Sequence, residues 1–288
     1  SFNSKIILGT AQFGTNYGIN NTRGMPNQNE VNDILEFAIN SNIQILDTAV
    51  SYGNSEQKIG YFHRSGKHFK CITKIGREII TDSIESLVSN SIKKLNCNPY
   101  AILSHNIQDH KDDDKFWEEL NKVKYNGLCE KIGFSIYSPH DIDFLEDIIH
   151  SIDIIQIPYN IFDRRFERIL PDLKNSNIEI HSRSAFLQGL FFKKINTLGP
   201  SFNSVKEKIN GLNDLAKKKE ISLNHILLGF CLLNQEIDRV IIGVDSLDNL
   251  KKNLVVYEYL DELKTIKEIL NDYIENDEKI ILPYNWNA

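Results

Sequence analysis

Eight short runs of β-forming residues recur along the chain, each followed by a helical pattern. The runs are Lys5–Leu8, Gln44–Leu46, Phe69–Thr73, Tyr100–Leu103, Lys131–Phe134, Ile152–Ile157, Ile178–His181 and Arg239–Ile242. Several, such as Ile154-Ile155-Gln156-Ile157, are apolar on both parities, as strands covered on both faces must be. Between them, Val31, Ile34, Leu35, Ala38 and Ile39 recur on one helical stripe. Asp82-Ser83-Ile84-Glu85 reads as a capping box, with Asp82 as the cap and Ile84, Leu87, Val88, Ile92 and Leu95 as the buried face behind it. Further helical patterns cover residues near 55–63, 114–126, 139–149, 163–175, 205–219 and 222–234. Eight strand-then-helix units predict a closed parallel barrel with right-handed crossovers, a (β/α)8 TIM barrel. With no linker and no shift in composition, it is expected to form a single domain over residues 1–288. An open doubly wound sheet would carry a G-x-G-x-x-G turn opening a helix. Gly9-Thr10-Ala11-Gln12-Phe13-Gly14 has neither that spacing nor that helix.

Composition narrows the possible partners. A net charge of -6 lacks the basic footprint of nucleic-acid binding. The one basic run, Lys217-Lys218-Lys219, follows Leu212, Leu215 and Ala216 at helical spacing and reads as a solvated helix face. The longest apolar run, Ile226 to Leu233, is broken by Gly229 and is far short of the ~20 residues of a spanning helix. No secretion signal is read at the start, and Cys71, Cys97, Cys129 and Cys231 form no C-x-x-C pair and have no His cluster at zinc spacing. The expectation is a cytoplasmic protein with free thiols and no metal, a monomer or small homo-oligomer, with no nucleic-acid or membrane partner.

Barrel enzymes carry their chemistry where strands end and loops begin. Three consecutive strand ends offer acid–base groups: Asp47 and Tyr52, then Lys74, then Ser104 and His105. A carbonyl that receives hydride develops negative charge on oxygen and needs a proton there. A phenol has an ordinary pKa of ~10 and is a poor donor at neutral pH. An adjacent ammonium favours the phenolate, and a buried ammonium needs a carboxylate to stay charged. Tyr52 is therefore expected to donate, Lys74 to tune it, Asp47 to hold Lys74 charged, and His105 to position the carbonyl oxygen.

These residues resemble the aldo-keto reductase family at Gly9-Thr10-Ala11…Phe13-Gly14, Leu46-Asp47-Thr48-Ala49…Tyr52-Gly53-Asn54-Ser55-Glu56, Thr73-Lys74 and Ser104-His105. In that family the corresponding Asp, Tyr, Lys and His form the catalytic tetrad. The resemblance implies NAD(P)H as coenzyme, a small carbonyl or alcohol as substrate, and coenzyme contacts at Gly9, Thr10, Ala11 and Asp47. Downstream, Gly133-Phe134-Ser135, Gln156 and Ser182-Arg183-Ser184 through Gln188-Gly189-Leu190 also match. The resemblance assigns the nicotinamide carboxamide to Ser135 and Gln156, and the pyrophosphate cover to Ser184, Leu187 and Gly189.

Two positions depart from the better-known members. Ile136 stands where Asn is common, and Arg183 where many members stack a Tyr on the nicotinamide. Arg183 is expected to lie against that ring or to reach the substrate, since a guanidinium also stacks on flat groups. The segment Ile242-Gly243-Val244-Asp245-Ser246-Leu247…Asn249…Asn253 resembles the part that grips the adenosine half, giving Gly243, Asp245, Ser246, Asn249 and Asn253 as contacts. Asp245 and Ser246 replace the Lys or Arg that NADPH-preferring members often carry. Because a carboxylate repels a 2′-phosphate and accepts from a free ribose hydroxyl, NADH is expected to serve at least as well as NADPH.

Candidate walls of the substrate pocket are the loop Asn16–Pro26 with Tyr17, the arginines Arg164 and Arg165, Phe191-Phe192, and the terminal Tyr284-Asn285-Trp286. The pattern looks like bacterial members associated with carbohydrate metabolism, so a sugar derivative is the expected substrate class. Two other readings fit the same residues: a nicotinamide-binding regulatory subunit with little turnover, and a lyase using Lys74 as a Schiff base.

Overall fold

Alternation of buried strand and amphipathic helix closes the sheet on itself. The structure, a computed structural model, describes residues 4–76 and 83–286. Its eight strands are β1 (Ile6–Gly9), β2 (Ile45–Asp47), β3 (Lys70–Ile75), β4 (Ala101–Ser104), β5 (Lys131–Ser135), β6 (Ile154–Pro158), β7 (Glu179–Arg183) and β8 (Arg239–Gly243). They pair in parallel in sequence order, and β8 returns to β1 with Gly9 opposite Gly243. The expected (β/α)8 barrel is thus the observed fold.

Strand residues alternate between two apolar groups. Ile7, Ile45, Ile72, Ala101, Leu103, Ile154 and Ile241 pack as one buried cluster. Their neighbours Ile6, Leu8, Leu46, Cys71, Ile102, Ile132 and Ile155 join the larger core beneath the helices. The Gln28–Asn40 helix buries Val31, Ile34, Leu35 and Ala38, and Asn27 and Glu30 close its first turn as a capping box.

Each strand ends one or two residues beyond its sequence limit. Polar residues that close each apolar run still pair through their backbones. The Ile84–Leu95 helix is capped by Ser83, whose hydroxyl accepts from the Ser86 amide. The expected cap, Asp82, lies outside the described residues. Residues Pro139–Ser151 form a 3-10 helix rather than an α-helix. The pattern at 163–175 yields an α-helix only over Leu170–Asn175, because Asn160 accepts from the Phe162 and Asp163 amides and turns the chain first. Among the described residues no helix is long and apolar enough to cross a membrane.

Candidate active site

The loop after β2 carries Tyr52, and two glycines fix its position. A Cβ on Gly14 would meet the Tyr52 carbonyl at 1.8 Å, and one on Gly53, which has φ +54°, would meet the Gly14 carbonyl at 2.2 Å. Only glycine permits this backbone contact. A buried hydroxyl relay anchors the same loop: Ser55 donates to Thr10 at 2.9–3.0 Å, Thr48 donates to Ser55 at 3.0 Å, and Thr10 donates to the Asp47 carbonyl at 2.9 Å.

At the barrel mouth Lys74, 1% exposed, donates to Asp47 Oδ2 at 2.6 Å, to the Thr48 carbonyl at 3.0 Å and to Tyr52 Oη at 3.5 Å. Gln156 Nε2 donates to the other Asp47 oxygen at 2.8 Å. The His105 ring stands edge-on to Tyr52, 5.8 Å between centroids at 85°, with Nδ1 3.3 Å from the Ser51 hydroxyl. Asp47, Tyr52, Lys74 and His105, separated by up to 58 positions in the chain, therefore meet in one place. Burial opposes the Lys74 charge, but Asp47 and Tyr52 outweigh it and hold the ammonium above its ordinary value. Burial, reinforced by the Lys74 charge, pulls His105 down to about 4, so its imidazole is neutral at neutral pH.

Two cavities, each about 500 Å³, adjoin this cluster. The first runs from Asp47, Tyr52 and Gln156 past Gly9, Thr10 and Ala11 to Arg183, Ser184 and Gly189, and on to Gly243, Asp245, Asn249 and Asn253. Gly9 and Gly243, paired across β1 and β8, give it a strip of floor without side chains. The second lies beside Lys74 and His105 and is walled by Ser51, Tyr137, Asp141 and Tyr284, with the two tyrosine rings edge-to-face at 5.3 Å.

Ser135, Leu187 and Ser246 do not line the first cavity. Ser135 is buried at the end of β5. Leu187 is buried at φ +47°, opening a left-handed turn through Gln188 and Gly189. The Ser246 hydroxyl caps the Leu247–Leu254 helix, accepting from the Asn249 amide. Ile136 is fully buried, and its carbonyl accepts from Arg183 Nη2 at 2.8 Å while the guanidinium lies 4.3 Å over the Tyr137 ring. Asn249 donates to Asp245.

The two arginines offered as pocket walls are spent on structure. Arg164 donates to the Ile161 and Leu270 carbonyls and to Asn271, and Arg165 to Asp163, Glu278 and the Tyr137 carbonyl. Phe192 lines the first cavity, whereas Phe191 packs on Phe162. Trp286 packs on Phe202 and donates to the Ile280 carbonyl.

Polar wall residues not singled out from the sequence include Gln12, Asn20, Gln188 and Asn224. Gln12 and Gln188 sit inside motifs that were recognised, which was the available signal. Asn20 lies on the Asn16–Pro26 loop expected to wall the pocket, whereas Asn224 lies in a segment with no pattern pointing to a site. Asn20 donates to the Gly189 carbonyl at 2.7 Å and the Ile19 amide to the Gln188 carbonyl at 3.1 Å, so the loop after β1 meets the loop after β7 across the cavity. Tyr17 stands on the same loop. It lines the first cavity while remaining 40% exposed.

The Aldo/keto reductase family profile matches residues 5–271. Among curated proteins, the chain is 24% identical over 281 residues to the uncharacterized oxidoreductase YqkF of Bacillus subtilis, covering 87% of this chain and 86% of that protein. It is 22% identical over 253 residues to the L-galactose dehydrogenase of Arabidopsis thaliana, covering 80% and 78%. Among solved structures, the holo form of aldo-keto reductase AKR11C1 from Bacillus halodurans superposes with a TM-score of 0.74 at 20% identity, covering 96% of this chain and 94% of that one. With the family matched over nearly its whole length and the barrel closed as described, the chain belongs to the aldo/keto reductase family and is an oxidoreductase.

Proposed function

We propose that the chain passes a hydride between NAD(P)H and a small carbonyl or alcohol, with Tyr52 as the acid or base. The observation that carries this reading is the Asp47–Lys74–Tyr52 chain of contacts, 2.6 and 3.5 Å, at the edge of a cleft suited to a dinucleotide. The cleft offers a backbone floor at Gly9 and Gly243, and hydroxyl and amide donors at Ser184, Asn249 and Asn253. Such neutral donors suit phosphate and ribose oxygens. Gln156 and Arg183 line the same cleft as Tyr52, and the planar Arg183 guanidinium would suit stacking on the nicotinamide. When bound, the coenzyme supplies the hydride.

The chain's own residues supply the proton. Tyr52 gives its hydroxyl proton to the carbonyl oxygen, and the Lys74 ammonium stabilises the phenolate left behind. Asp47 keeps that ammonium charged, and Gln156 holds Asp47 in place. Neutral His105 points the oxygen at Tyr52 without competing as an acid. A charged Lys74 is a poor nucleophile, which disfavours the Schiff-base reading.

The second cavity, with two tyrosine faces and the polar groups of Ser51 and Asp141, would suit a polyhydroxylated carbonyl compound. The L-galactose dehydrogenase likeness supports a sugar or sugar derivative. Asp245 at the adenosine end supports use of NADH, while Lys252 on the same wall offers a cation to a 2′-phosphate. Fluorescence titration with NADH and with NADPH, then a carbonyl panel including keto-sugars, tests the proposal. Saturable binding followed by coenzyme oxidation with at least one carbonyl is expected. Binding of neither nucleotide would overturn it.

A further inference from the structure

A second cluster of reactive side chains lies on the outer side of β3, away from the mouth. The spacing of the cysteines gives no hint of a metal site, yet the fold brings His63, Cys71 and Cys97 together with their ligand atoms within 4.8 Å of one another. They come from three elements: His63 ends the Ser55–His63 helix, Cys71 lies on β3, and Cys97 follows the Ile84–Leu95 helix. The Cys97 sulfur lies against both the Cys71 sulfur and the His63 ring. His63 and Cys71 are buried, whereas Cys97 is partly exposed and gives solvent a way in.

The tautomer of His63 is fixed by its partners. An approach of 2.7 Å between Nδ1 and the Leu95 carbonyl requires the proton on Nδ1. That leaves the lone pair on Nε2, whose present partner is a 3.2 Å donation from the Phe69 amide. An N–H on a backbone carbonyl is the arrangement that orients metal-binding histidines, and Nε2 would exchange the Phe69 amide for the ion on ligation. Two sulfurs and one imidazole form a soft donor set, which selects zinc or copper(I) over magnesium or calcium. The exposed His68 ring stacks 4.9 Å from that of His63 on the open side.

We propose that His63, Cys71 and Cys97 form a binding site for a thiophilic metal ion, with His68 or solvent as the fourth ligand. Such an ion would tie two helices to the strand that carries Lys74 three residues further on, without touching the coenzyme cleft. Its binding deprotonates both thiols and releases their protons to solvent.

Cobalt(II) and zinc(II) are the probes, added to the full chain after reduction and chelation. One cobalt ion per chain is expected, with the thiolate-to-cobalt charge-transfer band and the visible bands of a tetrahedral site. Cys97→Ser should abolish that band, and His68→Ala should weaken binding or leave it to solvent, either supporting the three-residue core. If Cys97→Ser does not fold, the wild type still decides. With free zinc at ~100 times its dissociation constant, alkylation of Cys97 should slow about 100-fold. An unchanged alkylation rate, a cobalt spectrum without the charge-transfer band, or oxidation to a Cys71–Cys97 disulfide with no metal uptake by the reduced chain would overturn the proposal.

Discussion

The two ends of the barrel both hold ionic groups, but they use them differently. At the N-terminal end, Glu179 accepts from Lys131 at 2.7 Å and from His181 at 3.1 Å, with Arg239 at 3.9 Å. Lys131 also lies 5.4 Å from the centre of the Tyr100 ring, and Lys70 4.7 Å from it. Lys174 is spent on Asp238, and Lys124 on Asp153. Burial opposes the Glu179 charge, yet His181 and Lys131 hold its carboxyl down to about 2. At the C-terminal end, Lys74 is equally well paired with Asp47 but reaches out to a phenol beside two cavities. One end closes its charges on themselves and serves stability. The other leaves a proton-bearing group facing open space.

Mutations at the two ends should separate these roles. Lys74→Met should have the largest combined effect, because it leaves Asp47 buried with Gln156 as its remaining side-chain donor. A loss of about 3–5 kcal/mol in denaturant unfolding is expected, with turnover down ~10²–10⁴-fold. Glu179→Gln should cost about 1.5–3 kcal/mol and leave kcat unchanged in steady-state assays. If Glu179→Gln impaired catalysis as strongly as Lys74→Met, the division between the ends would fail.

Acid sharpens the comparison, since the two ends titrate in different windows. Unfolded, His105 takes up a proton near 6.5, but the folded chain resists until about 4. Stability should therefore fall as pH drops from about 6.5 to about 4, and His105→Asn should flatten that limb. Glu179 has the depressed value, so its contribution is present above about 4.5 and lost as pH falls towards about 2. Unfolding followed against pH for both variants checks the two windows. Two limbs unmoved by the substitutions would contradict the assignment.

The smallest effect belongs to the adenosine end. Asp245→Asn removes a partly exposed carboxylate, and should raise kcat/KM for NADPH about two- to fivefold relative to NADH. No change in that ratio would show that Asp245 does not read the 2′ position.

Much of this was legible in the sequence, and the parts that were not have physical reasons. Short β-forming runs located all eight strands, several of them apolar on both parities because a parallel barrel buries both faces. The limits stopped short where polar side chains begin: Lys74, Ser104 and Ser135 are barrel residues whose backbones pair whatever their side chains do. The cluster at the barrel mouth was readable because Asp47, Tyr52, Lys74 and His105 each follow or close a strand. The capping role of Ser246 was not, since a hydroxyl after β8 serves a helix cap or a ligand equally well, and the cap shows only in its contact with the Asn249 amide. Arg164 and Arg165 could be read as pocket residues because several of their partners, Leu270, Asn271 and Glu278, lie over 100 residues away. The His63–Cys71–Cys97 cluster was hidden because its members, on three different elements, share no motif spacing.

The central claim is that the Tyr52 hydroxyl delivers the proton beside a bound dinucleotide. Tyr52→Phe tests it in one preparation, with coenzyme affinity by fluorescence titration and turnover on the best carbonyl of the panel. The account predicts an unchanged dissociation constant and a kcat lower by ~10²–10⁴-fold. Turnover within a few-fold of the unsubstituted protein would contradict it.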